Sequence, residues 1–286
     1  MNPKKRPALR WHGGKWILAP WIIQHLPAHR CYVEPFGGAA SVLLRKPRAY
    51  AEIYNDLDLH VVGFFRVLQD EESAARLLRK LELTPFARSE FDLSYVVDAD
   101  PVEAARRLVV RSFMGFGSDG ATGEYRTGFR SNSNRSGTTP ARDWRNYPEA
   151  LVGIIDRLRG VVIECREAME VMLRHDSAET LHYVDPPYML ELRSRTNRRK
   201  GAGGNYRHEL TRAQHISMLD GLRSLQGMVV LSGYPSEEYD EALKGWKRVE
   251  RHALADGARP RTEVLWLNPS AASSLDAVDG QIERAA

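Results

Sequence analysis

"CYVEPFGGAASVLLRKPRAYAEIYNDL", residues 31–57, sets two short apolar runs on either side of a glycine turn. Residues 31–35 read as one buried strand and 48–53 as the next, with 36–44 between them as a turn running into a short helix. Downstream, residues 56–70 carry Leu57, Val61, Phe64, Phe65 and Leu68 at helical spacing, which predicts an amphipathic helix. Strand, helix, strand, helix is the grammar of a parallel sheet covered by helices. Later segments extend it, with strands at 161–165, 181–185, 227–234 and 262–268. Helices are expected near 101–114, 167–174, 211–224 and 236–243.

The pattern lapses between the two halves of the sheet. Residues 115–147 are rich in Gly, Ser, Thr, Asn and Arg with scattered aromatics, and an irregular stretch of that length in a compact domain usually has a function. Charge is concentrated in the same place. The chain has a formal net charge of +4, yet residues 105–147 hold eight arginines against Asp119, Glu124 and Asp143, and residues 189–215 hold seven Lys or Arg against Glu191 and Glu209. The remainder is therefore acidic. Two basic segments on an acidic body suit a protein that grips a polyanion locally; solvated loops rich in arginine would carry the same charge.

Composition narrows the class. With 43% hydrophobic and 27% charged residues, the chain is neither disordered nor a membrane protein. The basic N-terminus lacks the apolar stretch of a signal peptide, so secretion is not expected and the cytoplasm is. Cys31 and Cys165 can build neither a disulfide framework nor a zinc site, and no metal is expected. From Ser270 onward the sequence is small and polar, and 271–286 is expected to be a flexible tail.

Ligands of open α/β sheets bind beyond the carboxyl ends of strands. Gly37 and Gly38 after the first strand permit a tight turn and close approach of a ligand, although an ordinary strand-to-helix turn needs the same residues. Glu52, at the tip of the second strand as read here, can accept both hydroxyls of a ribose; it can equally be a surface acid. Trp11 offers a flat face and Lys15 a cation before the first helix.

"YVDPPYML", residues 183–190, adds the chemistry. Asp185 at a strand end can accept a hydrogen bond from an exocyclic amine, while Pro186 and Pro187 fix the backbone so that the Pro186 carbonyl addresses the same nitrogen. Tyr188 supplies a face for a planar base. The lone pair of an aromatic amine is delocalised into its ring, and two acceptors on its protons favour a pyramidal, nucleophilic nitrogen. That nitrogen becomes acidic only after alkylation. A Pro-Pro turn after a strand remains the plainer reading.

With these residues in place the chain resembles the Dam-type (D12 class) DNA adenine N6-methyltransferases. The resemblance is carried, in the family's order, by "RWHGGK" (10–15), "YVEPFGGAASV" (32–42), "AEIYNDL" (51–57), "YVDPPY" (183–188), "YRHELT" (206–211), "VVLSGYPSEEYDEAL" (229–243) and "RTEVLWLNP" (261–269). It implies a Rossmann-like α/β sheet that binds S-adenosylmethionine, formed by residues 1–56 and 166–270, with an inserted target-recognition domain at 57–165. It implies methylation at N6 of a flipped adenine in double-stranded DNA, by a monomer or weak dimer in a bacterial or phage-infected cell. An RNA base methyltransferase and a non-catalytic DNA-binding protein are the alternatives.

Carried over residue by residue, the resemblance makes Trp11, Lys15, Phe36, Gly37, Gly38, Glu52 and Asp185 cofactor contacts. Asp185, Pro186, Pro187 and Tyr188 become the catalytic pocket. The family more often has Asp where Glu52 stands, and G-x-G where this chain has "GGAA". Members that read GATC carry a hairpin like "GxFNVPxG"; here the place is taken by "GEYRTGFRSN" (123–132), which points to a different or relaxed site. Arg126, Arg130, Asn132, Asn134 and Arg135 are candidate base or phosphate contacts. Arg198, Arg199 and Lys200 suit a phosphate clamp in a loop that orders over DNA, and Tyr206 a stacking partner near the flipped base; a solvated loop is the rival account.

Overall fold

A computed structural model of the chain describes residues 6–118, 121, 126–131, 137–192, 206–255 and 259–285. Seven strands form one sheet: β1 (Cys31–Glu34), β2 (Ala51–Asn55), β3 (Val161–Glu164), β4 (Thr180–Val184), β5 (Met228–Gly233), β6 (Lys247–Ala255) and β7 (Arg259–Leu267). Their order is β3-β2-β1-β4-β5-β7-β6. The first five strands in that order are parallel, and β7 runs antiparallel between β5 and β6. The expected Rossmann-like, mostly parallel α/β sheet is therefore present. Its order reverses at β1, which pairs with β2 on one side and β4 on the other; this is the crevice where such sheets bind ligands.

Both faces of the sheet are covered, and successive residues alternate between two cores. Tyr32, Tyr54, Tyr183, Val230 and Leu265 enter one cluster. Their neighbours Val33, Ile53, Val184, Leu231 and Trp266 enter the other.

Between β2 and β3 the chain makes six helices: α2 (Leu59–Gln69), α3 (Glu71–Leu83), α4 (Arg88–Leu93), α5 (Pro101–Met114), α6 (Pro140–Arg145) and α7 (Tyr147–Leu158). Asp58, Asp70, Asp100 and Thr139 cap four of them by accepting backbone N–H groups, which satisfies donors that helix starts leave open. Phe64, Phe65, Phe91, Val109 and Tyr147 from these helices share one core with the sheet residues Tyr32 and Tyr54. The insertion is thus packed onto the sheet and does not close on a separate core. Within the stretch read as irregular, Phe116 N–H donates to Gly128 O and Arg130 N–H to Met114 O, both at 2.8 Å, so the glycine-rich segment leaves and returns through a short antiparallel pairing.

The remaining helices are α1 (Ala19–Gln24), α8 (Ala168–Arg174), α9 (Arg212–Ser224), α10 (Glu237–Ala242) and α11 (Pro269–Ala285). Two expectations need correction. Residues 38–45 are successive turns, not a helix, because Gly38 (φ +46) and Ala40 (φ +54) stand in left-handed conformations that interrupt helical winding. The segment 271–286, expected to be a flexible tail, is helical as far as Ala285; Ala271 is buried, Leu275 packs on the core, and Asp276 pairs with Lys247 at 2.7 Å. No helix among the described residues is long and apolar enough to cross a membrane.

Candidate active site

A cavity of about 640 Å³ opens at the carboxyl ends of β1, β2 and β4, large enough for a cofactor-sized ligand. Its walls come from six places in the chain: residues 11–15, the end of β1 with the turn after it, the end of β2 with residues 56–58, residues 167–169, the end of β4 with residues 185–187, and residues 206–218 leading into and along α9.

The glycine turn shapes one wall. A Cβ on Gly37 would lie 2.1 Å from the Tyr54 ring, and one on Gly38 2.9 Å from the Trp11 indole nitrogen. Only glycine lets these aromatics close against the backbone. Gly13 (φ +69) serves the opposite rim, where an added Cβ would sit 2.1 Å from the Tyr206 hydroxyl. Tyr206 packs edge-on against His12 with ring centroids 5.2 Å apart, so residues 206–210 lie across from 11–15 over the cavity.

The strand ends beneath are tied together by one buried side chain. Asn55 Nδ2 donates to Pro35 O and to Arg166 O, both at 2.9 Å, while its Oδ1 accepts from Arg166 N–H at 2.9 Å. The ends of β1, β2 and β3 are thereby held in register at the cavity floor. Glu34 is buried there, accepting from the Tyr32 hydroxyl at 2.7 Å and Leu43 N–H at 3.0 Å. Burial pushes its titration up to about 8, which keeps it a neutral acid at pH 7.

Asp185 lines the cavity and is paired with Lys15, whose Nζ is 2.9 Å from Oδ1. Burial opposes ionisation of both groups. For Lys15 the charges of Asp185 and Glu263 outweigh burial and hold the ammonium above its ordinary range. For Asp185 burial prevails over Lys15, and its titration lies above the usual carboxylate value. Lys15 also donates to Gly13 O at 2.9 Å and stands 4.6 Å over the Tyr188 ring. The Tyr188 hydroxyl lies 3.0 Å from Glu263 Oε2 and 3.1 Å from Ser232 Oγ.

Of the residues proposed from sequence, Trp11, Lys15, Phe36, Gly37, Gly38, Asp185, Pro187 and Tyr206 line this one cavity. Pro186 is buried and Tyr188 half-buried beside it, the latter edge-on to Tyr234 with centroids 4.4 Å apart. Glu52 does not reach the cavity. It is 4% exposed and held by Lys46 Nζ at 2.7 Å and by Arg157 at 2.6 and 2.8 Å. The reason is a strand boundary: β2 runs to Asn55, two residues past the end read from sequence, so the acid that emerges from its tip is Asp56. Asp56 lines the cavity, accepting from Gly38 N–H and Asp58 N–H, both at 2.8 Å, and burial pushes its titration up to about 6.

The proposed nucleic-acid contacts fare unevenly. Arg126 is exposed, paired with Asp92 and set 5.5 Å from the Tyr95 ring. Arg130 is half-buried and 4.0 Å from Asp143. Asn132, Asn134, Arg135, Arg198, Arg199 and Lys200 lie outside the described residues. The basic excess of 105–147 is partly consumed internally. Arg106 and Arg107 pair with Glu103, Glu90 and Asp98, and Arg111 donates to Ser94 O. Sequence reasoning passed over Asp56, Asn55, Ser232 and Glu263; the first three sit at or near a strand's end, and Glu263 is a polar residue at the middle of β7.

Comparison with known proteins follows the same lines. The family model described as D12 class N6 adenine-specific DNA methyltransferase matches residues 11–255. The DNA adenine methylase of Escherichia coli (strain K12) is 32% identical over 197 residues, covering 65% of this chain and 66% of its own length. That of Salmonella typhi is 31% identical over 195 residues, with 65% and 66% covered. The DNA adenine methylase of Serratia marcescens is 28% identical over 192 residues, with 65% and 67% covered. The matched stretch thus spans just under two thirds of the first two relatives.

Proposed function

The chain belongs to the D12 class of N6 adenine-specific DNA methyltransferases, and from that premise we propose that it moves a methyl group from S-adenosylmethionine to N6 of an adenine turned out of duplex DNA. The observation that carries this reading is Asp185, paired with Lys15 at the wall of a cavity built at the sheet's crossover.

The residues present fit the cofactor. Trp11, Phe36, Gly37 and Gly38 line one wall of the cavity, and glycine at both positions lets Tyr54 and Trp11 close against its backbone. Asp56 takes the part expected of Glu52 and is proposed to accept the ribose hydroxyls. When bound, S-adenosylmethionine supplies a methyl group activated on a sulfonium. Asp185 and the Pro186 carbonyl accept the two amine protons of adenine, which concentrates the nitrogen lone pair toward the sulfonium side of the pocket. Lys15 offsets part of the burial that opposes the Asp185 charge, and the amine proton leaves only after the new N–C bond has made it acidic. Tyr188 and Tyr206 flank the base, and water is kept out by residues 206–210.

The insertion at 57–165 is proposed to read the DNA, with Arg126, Asn132, Asn134 and Arg135 meeting phosphate and base edges, joined by the basic run at 193–200. Phe116, 70% exposed where the chain leaves the short antiparallel pairing, gives that surface an apolar projection of the kind that unstacks base steps.

Incubation with S-adenosylmethionine and unmodified DNA, followed by mapping of modified bases, tests the reading. N6-methyladenine in a defined sequence context is expected, at a rate roughly 10²–10³-fold lower with Asp185→Ala. N4-methylcytosine would overturn the base assignment, and modification of structured RNA in preference to duplex DNA would overturn the substrate.

A further inference from the structure

Glu263 on β7 has no part in the chemistry set out above, yet it is 8% exposed and abuts the catalytic pocket. Its Oε2 accepts the Tyr188 hydroxyl at 3.0 Å, and Ser232 Oγ lies 3.1 Å from that same hydroxyl. We propose that Glu263 is a positioning residue for methyl transfer: it locks the Tyr188 ring beside Asp185 and shares the Lys15 charge, so that Asp185 stays free to accept the adenine amine. This rests on the transferase reading of the site.

Stability does not account for Glu263. A buried carboxylate is costly, and a second acid this close to Asp185 disfavours the ionised form of both. Burial and Asp185 raise its titration, while Lys15, the Tyr188 hydrogen bond and Arg261 work the other way. A neutral side chain of similar volume would pack there at less cost. What the charge provides is geometric. Tyr188 has one hydroxyl proton, and giving it to a fixed carboxylate sets the ring's rotation against Lys15 on one side and Tyr234 on another. Ser232 Oγ is then free to donate toward Asp185, a contact that helps keep that acid ionised.

The charge also acts through Lys15. With both acids present, one ammonium serves two carboxylates; with Glu263 neutral, Lys15 acts on Asp185 alone and makes it a weaker acceptor. The groups facing Glu263 are Lys15 ahead of α1, Tyr183 on β4, Asp185 and Tyr188 after it, Ser232 on β5, Tyr234 after β5, and Arg261 on β7 itself. Arg251, its register partner on β6, is exposed and turns toward Trp21 at 5.9 Å.

Single-turnover methyl transfer by the full chain, with cofactor Kd and thermal midpoint recorded alongside, tests the proposal. Glu263→Gln, which keeps an acceptor for the Tyr188 hydroxyl but removes its charge, should slow transfer by about 10-fold, the difference between a charged and a neutral hydrogen bond, with cofactor Kd unchanged. The acid limb of its pH–rate profile should move to lower pH, a change that a merely structural role would not produce. Tyr188→Phe should slow transfer comparably, and the double variant should be no slower than the slower single one. A wild-type rate in Glu263→Gln, an unmoved acid limb, or losses that multiply would overturn the proposal. If Glu263→Gln fails to fold, Tyr188→Phe removes the hydrogen bond from the other side, and an unchanged rate there overturns it. A wild type that transfers no methyl group would end the transferase reading and this one with it; an active wild type beside an unaffected Glu263→Gln would end this one alone.

Discussion

Two acids four residues apart, Glu52 and Asp56, differ in what they touch: Glu52 ties Lys46 and Arg157 together inside the fold, and Asp56 lines the cavity. Both are acidic, both stand near the end of β2, and a two-residue error in that end exchanges their roles. Glu52 is locked between Lys46 and Arg157, so Glu52→Ala should cost about 3–5 kcal/mol by leaving buried cations unpaired while scarcely altering cofactor affinity. Asp56→Ala should do the reverse, weakening S-adenosylmethionine binding by roughly 10- to 100-fold with little loss of stability. Denaturant titration and isothermal calorimetry on the two variants distinguish them, and equal effects in both would remove Asp56 from the ribose site. Asp185 was legible because its motif encodes rigidity as well as charge. Asp185→Ala should lower methyl transfer by roughly 10²–10³-fold, measured as incorporation of labelled methyl, with DNA affinity retained.

Among elements, the parallel strands and their flanking helices could be read from periodicity, since both faces of each strand must be apolar. Helices α3, α4, α6, α7 and α11 and strand β6 went unread. Helix α3 is mostly polar, burying only Ala74, Leu77 and Leu81, and α4 is a six-residue helix that buries Phe91 alone. The buried charges of α5 were also misread, because an arginine facing a core looks in sequence like one facing DNA. Glu103 gathers Lys80, Arg106 and Arg107; burial opposes its ionisation, but these partners win and hold its titration down at about 2. A carboxylate lowered on folding stabilises the protein above its unfolded value near 4.5 and loses that contribution as pH falls toward about 2. Acid unfolding followed by the insertion's helical signal should therefore fall steeply across that window. Glu103→Gln should flatten the dependence, and an unchanged acid limb would show that other carboxylates set it.

For the whole molecule, charge is the informative quantity. With Arg106, Arg107 and Arg111 turned inward, fewer arginines remain to meet phosphate than the composition of 105–147 suggests, and more of the burden passes to the basic run at 193–200. Removing one cation from a DNA phosphate should lower the slope of log Kobs against log salt by about 0.9. Neutralising Arg198, Arg199 and Lys200 together should then reduce it by up to about three times that amount, measured by fluorescence anisotropy on duplex DNA; an unaltered slope would remove the clamp. One consequence concerns synthesis. The groups that converge on the reactive pocket stand at 15, 185, 188, 232 and 263, and the last of them arrives on a strand that must slip between β5 and β6. On the proposed reading, a nascent chain carries most of the surface assigned to DNA before it owns a working centre, and ribosome-bound intermediates would touch DNA without methylating it.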